Sequence, residues 1–243
     1  VSAHHFFVRP DDVDGAVVTI TGDEARHAAR VLRVRPGEAI TVADDTGRVL
    51  DAVVSDVGDD VRAEVLKETF VDEPRPSITL YQAVTKGDKI DEIVQKATEV
   101  GVRRIVPFIA ERSIVRWDGP KRMKARERWV AVARSASKQC ASPRLTVIDE
   151  IADSVAVAVE PDANVWVLHE ADDATPLRRV LDEPAPDAAA LVVGPEGGLA
   201  DDELTMLREG GAQIVWLGPR ILRTETAGVV AASIVAYVYG SLG

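Results

Sequence analysis

Three glycine- and acid-bearing segments concentrate the chemically capable residues of this 243-residue chain. They read Leu168-His169-Glu170, Gly194-Pro195-Glu196-Gly197-Gly198, and Leu217-Gly218-Pro219 running on to Arg223-Thr224-Glu225-Thr226-Ala227. Each follows a short apolar run. Glycines in such places permit positive φ and let backbone amides approach a ligand closely, although tight turns alone also use them. Neither a GxxxxGKS/T cradle nor a GxGxxG fingerprint is present, so the familiar phosphate-gripping loops are missing. Asp201-Asp202-Glu203 follows the glycine segment. Three acids suit a helix N-terminus but repel a phosphate there. The pattern therefore fits a neutral or cationic ligand better than a polyphosphate. One cysteine and four histidines argue against a structural zinc site, and no His/Asp cluster has metal-ligand spacing. A GxSxG nucleophile elbow is absent too.

The elements that must position these segments are legible from period. Residues 16–20 read as a strand, and 23–33 as a helix with Ala25, Ala28, Ala29 and Leu32 at helical spacing. Short alternating strands follow at 39–43, 48–55 and 61–67, broken by the turn residues Asp44-Asp45-Thr46-Gly47 and Gly58-Asp59-Asp60. Pro74 and Pro76 then mark a boundary, because neither continues a central strand or a helix. This predicts a small, mostly β domain over 1–73 and a larger one over 77–243. In the larger part, strands are expected at 78–84, 105–109, 164–168, 190–193 and 213–217. Helices are expected at 88–100, closed by Gly101, and at 119–140, 176–182, 201–209 and 225–240. Alternating apolar strands and helices make an α/β fold with a mainly parallel sheet covered on both faces. Ligands of such sheets collect beyond the carboxyl ends of the strands, where all three segments fall.

The net charge of −11 weighs against a polyanionic partner, but its distribution weighs the other way. Between Arg112 and Arg144 ten Lys and Arg, Arg116 among them, face only Asp118 and Glu127, leaving this segment at +8. Arg26, Arg30, Arg33 and Arg35 form a second basic run. Solvated helix faces look the same, yet two such runs in an acidic chain suggest a localised nucleic-acid footprint. No apolar run approaches the ~20 residues of a membrane span. The residues around His4, His5 and Arg9 form no secretory h-region. With Cys140 alone there is no disulfide framework, so a cytoplasmic location is expected.

Leu191-Val-Val-Gly-Pro-Glu-Gly-Gly198, followed by Leu217-Gly-Pro-Arg-Ile-Leu-Arg-Thr-Glu-Thr-Ala227, resembles the signature of the 16S rRNA uracil-N3 methyltransferases of the RsmE type, in the SPOUT superfamily. Lys86-Gly-Asp-Lys-Ile-Asp-Glu-Ile-Val-Gln-Lys-Ala-Thr-Glu-Val-Gly101 is similar to the first helix of that domain. Gly22-Asp-Glu-Ala-Arg-His27 and Val31-Leu-Arg-Val-Arg-Pro-Gly37 resemble its amino-terminal PUA-like RNA-binding barrel. The resemblance implies a SPOUT domain with a deep trefoil knot, formed by the segments around Leu168, Gly194 and Leu217. It also implies a homodimer packed through the knot, with the apolar last helix (Val229, Val230, Ile234, Val235, Tyr237) at hand, although core packing explains that helix equally well. Two positions depart from the family pattern: Ser142 stands where an arginine is expected, and Thr146 where a proline is.

The implied cofactor is S-adenosylmethionine, without metal; its sulfonium has the cationic character the loop acids favour. The implied cofactor contacts are Leu168, His169, Glu170, Gly194, Pro195, Glu196, Gly198, Leu217, Gly218, Ile221, Leu222, Arg223, Thr226 and Ala227. Uracil N3 is protonated at neutral pH, so transfer needs a base or a cation that stabilises the anion. Arg223 is the expected cation, with Glu225 and Glu196 the candidate bases; Glu225 and Thr226 also suit a helix cap. His169 and His27 are expected to be structural. For RNA the expected contacts are Arg9, Arg30, Arg33, Arg35, Lys86, Arg112 and Arg144, mainly to phosphates. The alternatives are a ribose 2′-O-methyltransferase of rRNA or tRNA, and a non-catalytic RNA-binding assembly factor.

Overall fold

A computed structural model of the chain describes residues 3–115, 117–159, 163–171 and 173–242. Arg116, counted in the basic run, lies outside them. Contacts divide the chain into two compact units, Val1–Glu73 with Ser137–Leu145, and Pro74–Ala136 with Thr146–Gly243.

The first unit is built on six strands: β1 (His4–Phe7), β2 (Val13–Asp14), β3 (Val17–Ile20), β4 (Ala39–Ala43), β5 (Arg48–Val57) and β6 (Val61–Phe70). Their order is β1-β4-β5-β6-β3-β2, and only β1 and β4 run parallel. In β5 Leu50, Ala52 and Val54 are buried while Asp51 points out, the period of a strand with one wet face. These residues pack with Phe6, Ile20, Ile40 and Val61. The helix expected at 23–33 begins as α1 (Gly22–Arg26), continues as a π-helical stretch over His27–Leu32, and stops at Arg33 with φ 57°. Residues 137–145 are held in this unit by polar contacts. His5 Nε2 lies 3.0 Å from Ser142 O, Lys138 pairs with Glu24 at 3.2 Å, and Leu145 N donates to Asp45 at 2.7 Å.

The second unit holds a seven-stranded sheet. Its strands are β7 (Ser77–Ala83), β8 (Arg104–Phe108), β9 (Val147–Ile148), β10 (Asn164–Leu168), β11 (Thr175–Pro176), β12 (Ala188–Val193) and β13 (Gln213–Trp216). All pairs are parallel, in the order β11-β13-β10-β12-β7-β8-β9. In β12 every residue after Ala188 is buried, as expected when both faces are covered. The helices are α2 (Lys89–Glu99), α3 (Gly119–Gln139), α4 (Leu177–Val180), α5 (Asp201–Glu209) and α6 (Thr224–Val238). Ile90, Ile93 and Val94 of α2 share one core with Trp129 of α3 and Ala231, Ala232 and Val235 of α6. Leu204 and Leu207 of α5 belong to another, with Tyr81 and Val192. Gly228 lets α6 lie close to the sheet, since a Cβ there would come 3.0 Å from Leu80 Cδ1 and 3.3 Å from Val193 Cγ2.

Much of the basic run is spent inside this unit. Arg122 bonds Asp153 at 2.6 Å and the Trp117 carbonyl at 3.1 Å. Arg126 donates to Ile148 O at 3.1 Å, and Arg128 bridges Asp88 and Asp91 at 3.2 and 2.9 Å. Lys121 lies over the Trp117 ring, 5.5 Å from its centre. The family departures also have local uses. Ser142 Oγ donates to Arg144 O at 2.6 Å in the first unit, and Thr146 Oγ1 donates to Val102 O at 2.8 Å in the second.

Candidate functional site

Strands β13, β10 and β12 are consecutive neighbours and point the same way, so their following loops leave side by side. The register is flush: Leu168 sits opposite Val193 on one side and Val215 on the other. Three segments far apart in sequence are thereby brought together at the carboxyl edge of one sheet. They line two adjoining cavities, of about 370 and 360 Å³. Leu168, His169, Pro195, Glu196, Gly198, Ile221, Leu222 and Ala227 face both. Gly194 and Arg223 face the first, Glu170, Leu217 and Gly218 the second. Glu225 lines the first cavity as well. Thr226 is exposed and lines neither; its backbone N–H donates to Arg223 O at 2.8 Å. The cap of α6 is Arg223, without a side-chain bond, so neither Glu225 nor Thr226 caps it.

The glycine loop is fixed by neighbours that motif reading does not single out. Thr224 Oγ1 donates to Gly194 O at 2.8 Å and accepts from Gln82 Nε2 at 3.0 Å, all in the buried seam where α6 starts. A Cβ on Gly194 would lie 3.1 Å from both the Leu199 backbone N and Cγ, so one could enter only if Leu199 gave way. Gly198 holds φ +71°, the left-handed region that glycine adopts without strain. Arg112, one of the expected RNA contacts, reaches this loop: its Nη1 donates to Leu199 O at 3.1 Å, and Nη2 lies 3.6 Å from Asp201. Glu203, buried at the start of α5, accepts from Ala200 N at 2.8 Å and from Glu111 N at 3.0 Å.

Lys89, inside the quoted Lys86–Gly101 segment but given no role there, carries the electrostatics of the first cavity. Its Nζ is 2.8 Å from Glu196 Oε1 and 3.5 Å from Glu225 Oε2. The Lys89 ammonium is raised above its ordinary range chiefly by the hydrogen bond to Glu196. Burial opposes ionisation of Glu196, but the Lys89 hydrogen bond, a bond from its own backbone N–H and the Lys89 charge together outweigh it and take that carboxyl below its usual range. Arg223 has a side chain 85% exposed, with Nη1 3.8 Å from Glu225. Burial lowers the His169 imidazole, helped by the charges of Arg208 and Arg112, so the ring favours its neutral form. Its backbone N–H donates to Val215 O at 3.0 Å.

The remaining expected residues are dispersed. Arg9, Arg30, Arg33 and Arg35 are exposed on the first unit, and Lys86 is exposed on the second. Arg144 packs within the first unit, donating to the Thr46 carbonyl at 3.0 Å. His27 is half-buried in the first unit. Among the described residues no group of three or more His, Cys, Asp or Glu could hold a metal ion, and no helix is long and apolar enough to cross a membrane.

Comparison with known proteins agrees with this geometry. A family described as RNA methyltransferase domain matches residues 72–236, and one described as RNA methyltransferase PUA domain matches 20–65. Ribosomal RNA small subunit methyltransferase E of Mycobacterium bovis is 40% identical over 235 residues, covering 93% of this chain and 88% of that one. The protein of the same name from Bacillus subtilis is 32% identical, covering 90% and 89%. Among solved structures, Ribosomal RNA small subunit methyltransferase E from Neisseria gonorrhoeae, bound to S-adenosyl methionine, matches with a TM-score of 0.85 at 32% identity, covering 98% of each chain. Fold, motif and these matches meet in one conclusion: the chain belongs to the RNA methyltransferase family, with a PUA-like domain on its amino-terminal side and a parallel-sheet domain after it.

Proposed function

We propose that the chain transfers a methyl group from S-adenosylmethionine to N3 of a uridine in 16S rRNA of the small ribosomal subunit. The observation that carries this reading is the flush meeting of the Leu168, Gly194 and Leu217 loops around one pair of cavities. The relatives' names and the cofactor in the Neisseria structure support it. The lining also fits the cofactor. Leu168, Leu222 and Ala227 offer apolar wall, Gly194 leaves a backbone approach no side chain fills, and Glu196 and Glu225 supply negative charge. Two neighbouring cavities of this size suit an adenosyl ligand. Bound there, the cofactor would supply an electrophilic methyl group.

The chain's own part is positioning and the handling of one proton. Leu168, Gly194, Gly198, Leu217, Gly218 and Leu222 would hold the adenosine portion through backbone and apolar contact, with His169, Glu170, Pro195, Ile221, Thr226 and Ala227 beside them. Arg223, exposed at the edge of the first cavity, can place its guanidinium on a uracil oxygen and stabilise the anion. Glu225 and Glu196 are the carboxylates within the same cavity that can accept the imide proton. The first unit would bind RNA through Arg9, Arg30, Arg33 and Arg35, with Lys86 on the second. Arg112 and Arg144 would act more by fixing loops than by meeting phosphate, because backbone carbonyls already engage both. Residues 1–73 would thus be the RNA-binding domain and 77–243 the catalytic one, threaded through a trefoil knot. Pairing into a homodimer would cover the exposed Tyr237 and Val238 of α6. The setting would be the cytoplasm, where ribosomes are built.

The test is mass spectrometry of small-subunit RNA after incubation with the protein and isotope-labelled cofactor. Labelled 3-methyluridine is expected. A 2′-O-methyl nucleoside, or no incorporation, refutes the assignment.

A further inference from the structure

We propose that Lys89 is a positioning residue whose ammonium ties the glycine loop, through Glu196, to the first turn of α6, through Glu225, and so sets the charge and shape of the cofactor cavity. The proposal rests on the methyl-transfer reading above. Lys89 is the first residue of α2, where a cation opposes the helix macrodipole. Its charge is therefore not there to stabilise that helix. The acid in the same turn, Asp91, already pairs with Arg128 at 2.9 Å. Lys89 reaches the other way, to 2.8 Å from Glu196 and 3.5 Å from Glu225. Three chain elements with no local sequence relation thus converge on one nitrogen.

The need for a cation there is electrostatic. Two carboxylates facing one cavity repel each other. An ammonium within reach of both removes that penalty and fixes where their oxygens lie. Glu225 depends on it most, since its side chain is only 15% exposed and Arg223 stays 3.8 Å away on a largely exposed side chain. Lys89 itself stays charged across the neutral range, held so chiefly by the Glu196 bond. A protonated lysine takes no proton from uracil. Its role is to hold the Glu196 and Glu225 carboxylates in place while a cationic cofactor occupies the cavity.

The experiment compares Lys89→Met and Lys89→Arg with the wild type. In the bare protein, carboxyl-carbon NMR should show the Glu196 titration midpoint rising in Lys89→Met and returning in Lys89→Arg. Calorimetry should show S-adenosylmethionine binding weakened about three- to tenfold in Lys89→Met at pH 7, the modest range of a solvent-accessible charge-assisted contact. Lys89→Arg should recover most of that loss, and the thermal midpoint should not fall, given the helix position. An unmoved Glu196 midpoint, or binding within twofold of wild type, overturns the proposal. So does a loss of stability in step with affinity, which would make the residue structural. A wild type that binds no S-adenosylmethionine sinks the methyl-transfer reading instead, while the titration still judges Lys89 on the bare protein.

Discussion

Thr224→Val removes one hydroxyl hydrogen and two lone pairs while nearly preserving shape, at the point where β7, the glycine loop and α6 meet. Thr224 is 6% exposed and Gln82 1%. The wild-type hydroxyl donates to Gly194 O at 2.8 Å and accepts from Gln82 Nε2 at 3.0 Å. Valine leaves both of those groups without that partner. A buried orphan costs about 1–3 kcal/mol. Gln82 Nε2 keeps a bond to Ala83 O at 3.2 Å, which places its share at the low end. The expected loss is about 2–4 kcal/mol, a fall of about 4–16 °C in melting temperature for a chain of this size. Scanning calorimetry with urea titration measures it. A cycle with Gln82→Leu isolates the pair term, expected at about 0.5–3 kcal/mol because the double variant has fewer orphaned groups than the singles imply. Affinity for S-adenosylmethionine should fall too, since Gly194 O fixes where the loop turns. A loss below about 0.5 kcal/mol, the size of an ordinary surface substitution, would refute the reasoning.

Arg223→Ala should lower kcat by at least about 100-fold, as loss of an anion-stabilising group does. Its 85% exposed side chain should leave the melting temperature almost unchanged, and an unaltered kcat would remove it from the mechanism. Gly194→Ala forces a Cβ to 3.1 Å from Leu199 N and should cost about 1–3 kcal/mol by overpacking. Calorimetry should find cofactor affinity reduced about tenfold or more, and retained affinity would mean the loop yields. Acidification tests His5, whose imidazole lies below its ordinary 6.5 because of burial, opposed by the Ser142 carbonyl and Glu24 and aided by Lys138. Its Nδ1 is buried without a hydrogen-bond partner, so a second ring proton finds no acceptor. The unfolded chain then binds the proton first, and stability falls as pH drops below 6.5, with about 1.4 kcal/mol per pH unit as the ceiling for one proton. Urea midpoints from pH 7.5 to 5.5 should flatten in His5→Asn; an equal slope in both proteins contradicts the assignment.

The parallel sheet was legible because its strands are apolar on both faces, and α2 because Ile90, Ile93, Val94 and Ala97 recur at helical spacing. Strands of two residues, such as β9 and β11, carry no period and could not be seen. The π-helical stretch at His27–Leu32 hid for a related reason, as its apolar spacing mimics an ordinary helix. The three loops were legible because strand ends in a parallel sheet gather ligands, whatever the connection between them. Charge was harder to place than hydrophobicity. Counting Lys and Arg along 112–144 cannot see Asp88, Asp91 and Asp153, which meet Arg128 and Arg122 only in space. Lys89, Thr224 and Gln82 stood inside or beside the quoted motifs, but each acts through a partner more than a hundred residues away. Gln82 did leave a trace, as an amide side chain near the carboxyl end of a strand whose last four residues are all buried.

The acids after the glycine loop show how sequence electrostatics became ligand choice. In dinucleotide-binding folds the helix after such a loop offers its free N-terminal amides to a pyrophosphate. Here the cap residue Ala200 gives its N–H to Glu203 Oε2 at 2.8 Å, while Oε1 of the same buried side chain accepts from Glu111 N at 3.0 Å. A phosphate arriving there would have to displace a carboxylate that bonds two backbone groups, leaving both amides and an anion to be rehoused. Asp201 adds like charge at the entrance, and Arg112 is already engaged by Leu199 O and Asp201. An anion at this helix start would meet three acids in the first turn and a carboxylate already holding the cap amide. What remains open is the face lined by Leu168, Leu222, Ala227, Glu196 and Glu225, where an apolar wall and two carboxylates, balanced by Lys89 and Arg223, can receive a sulfonium.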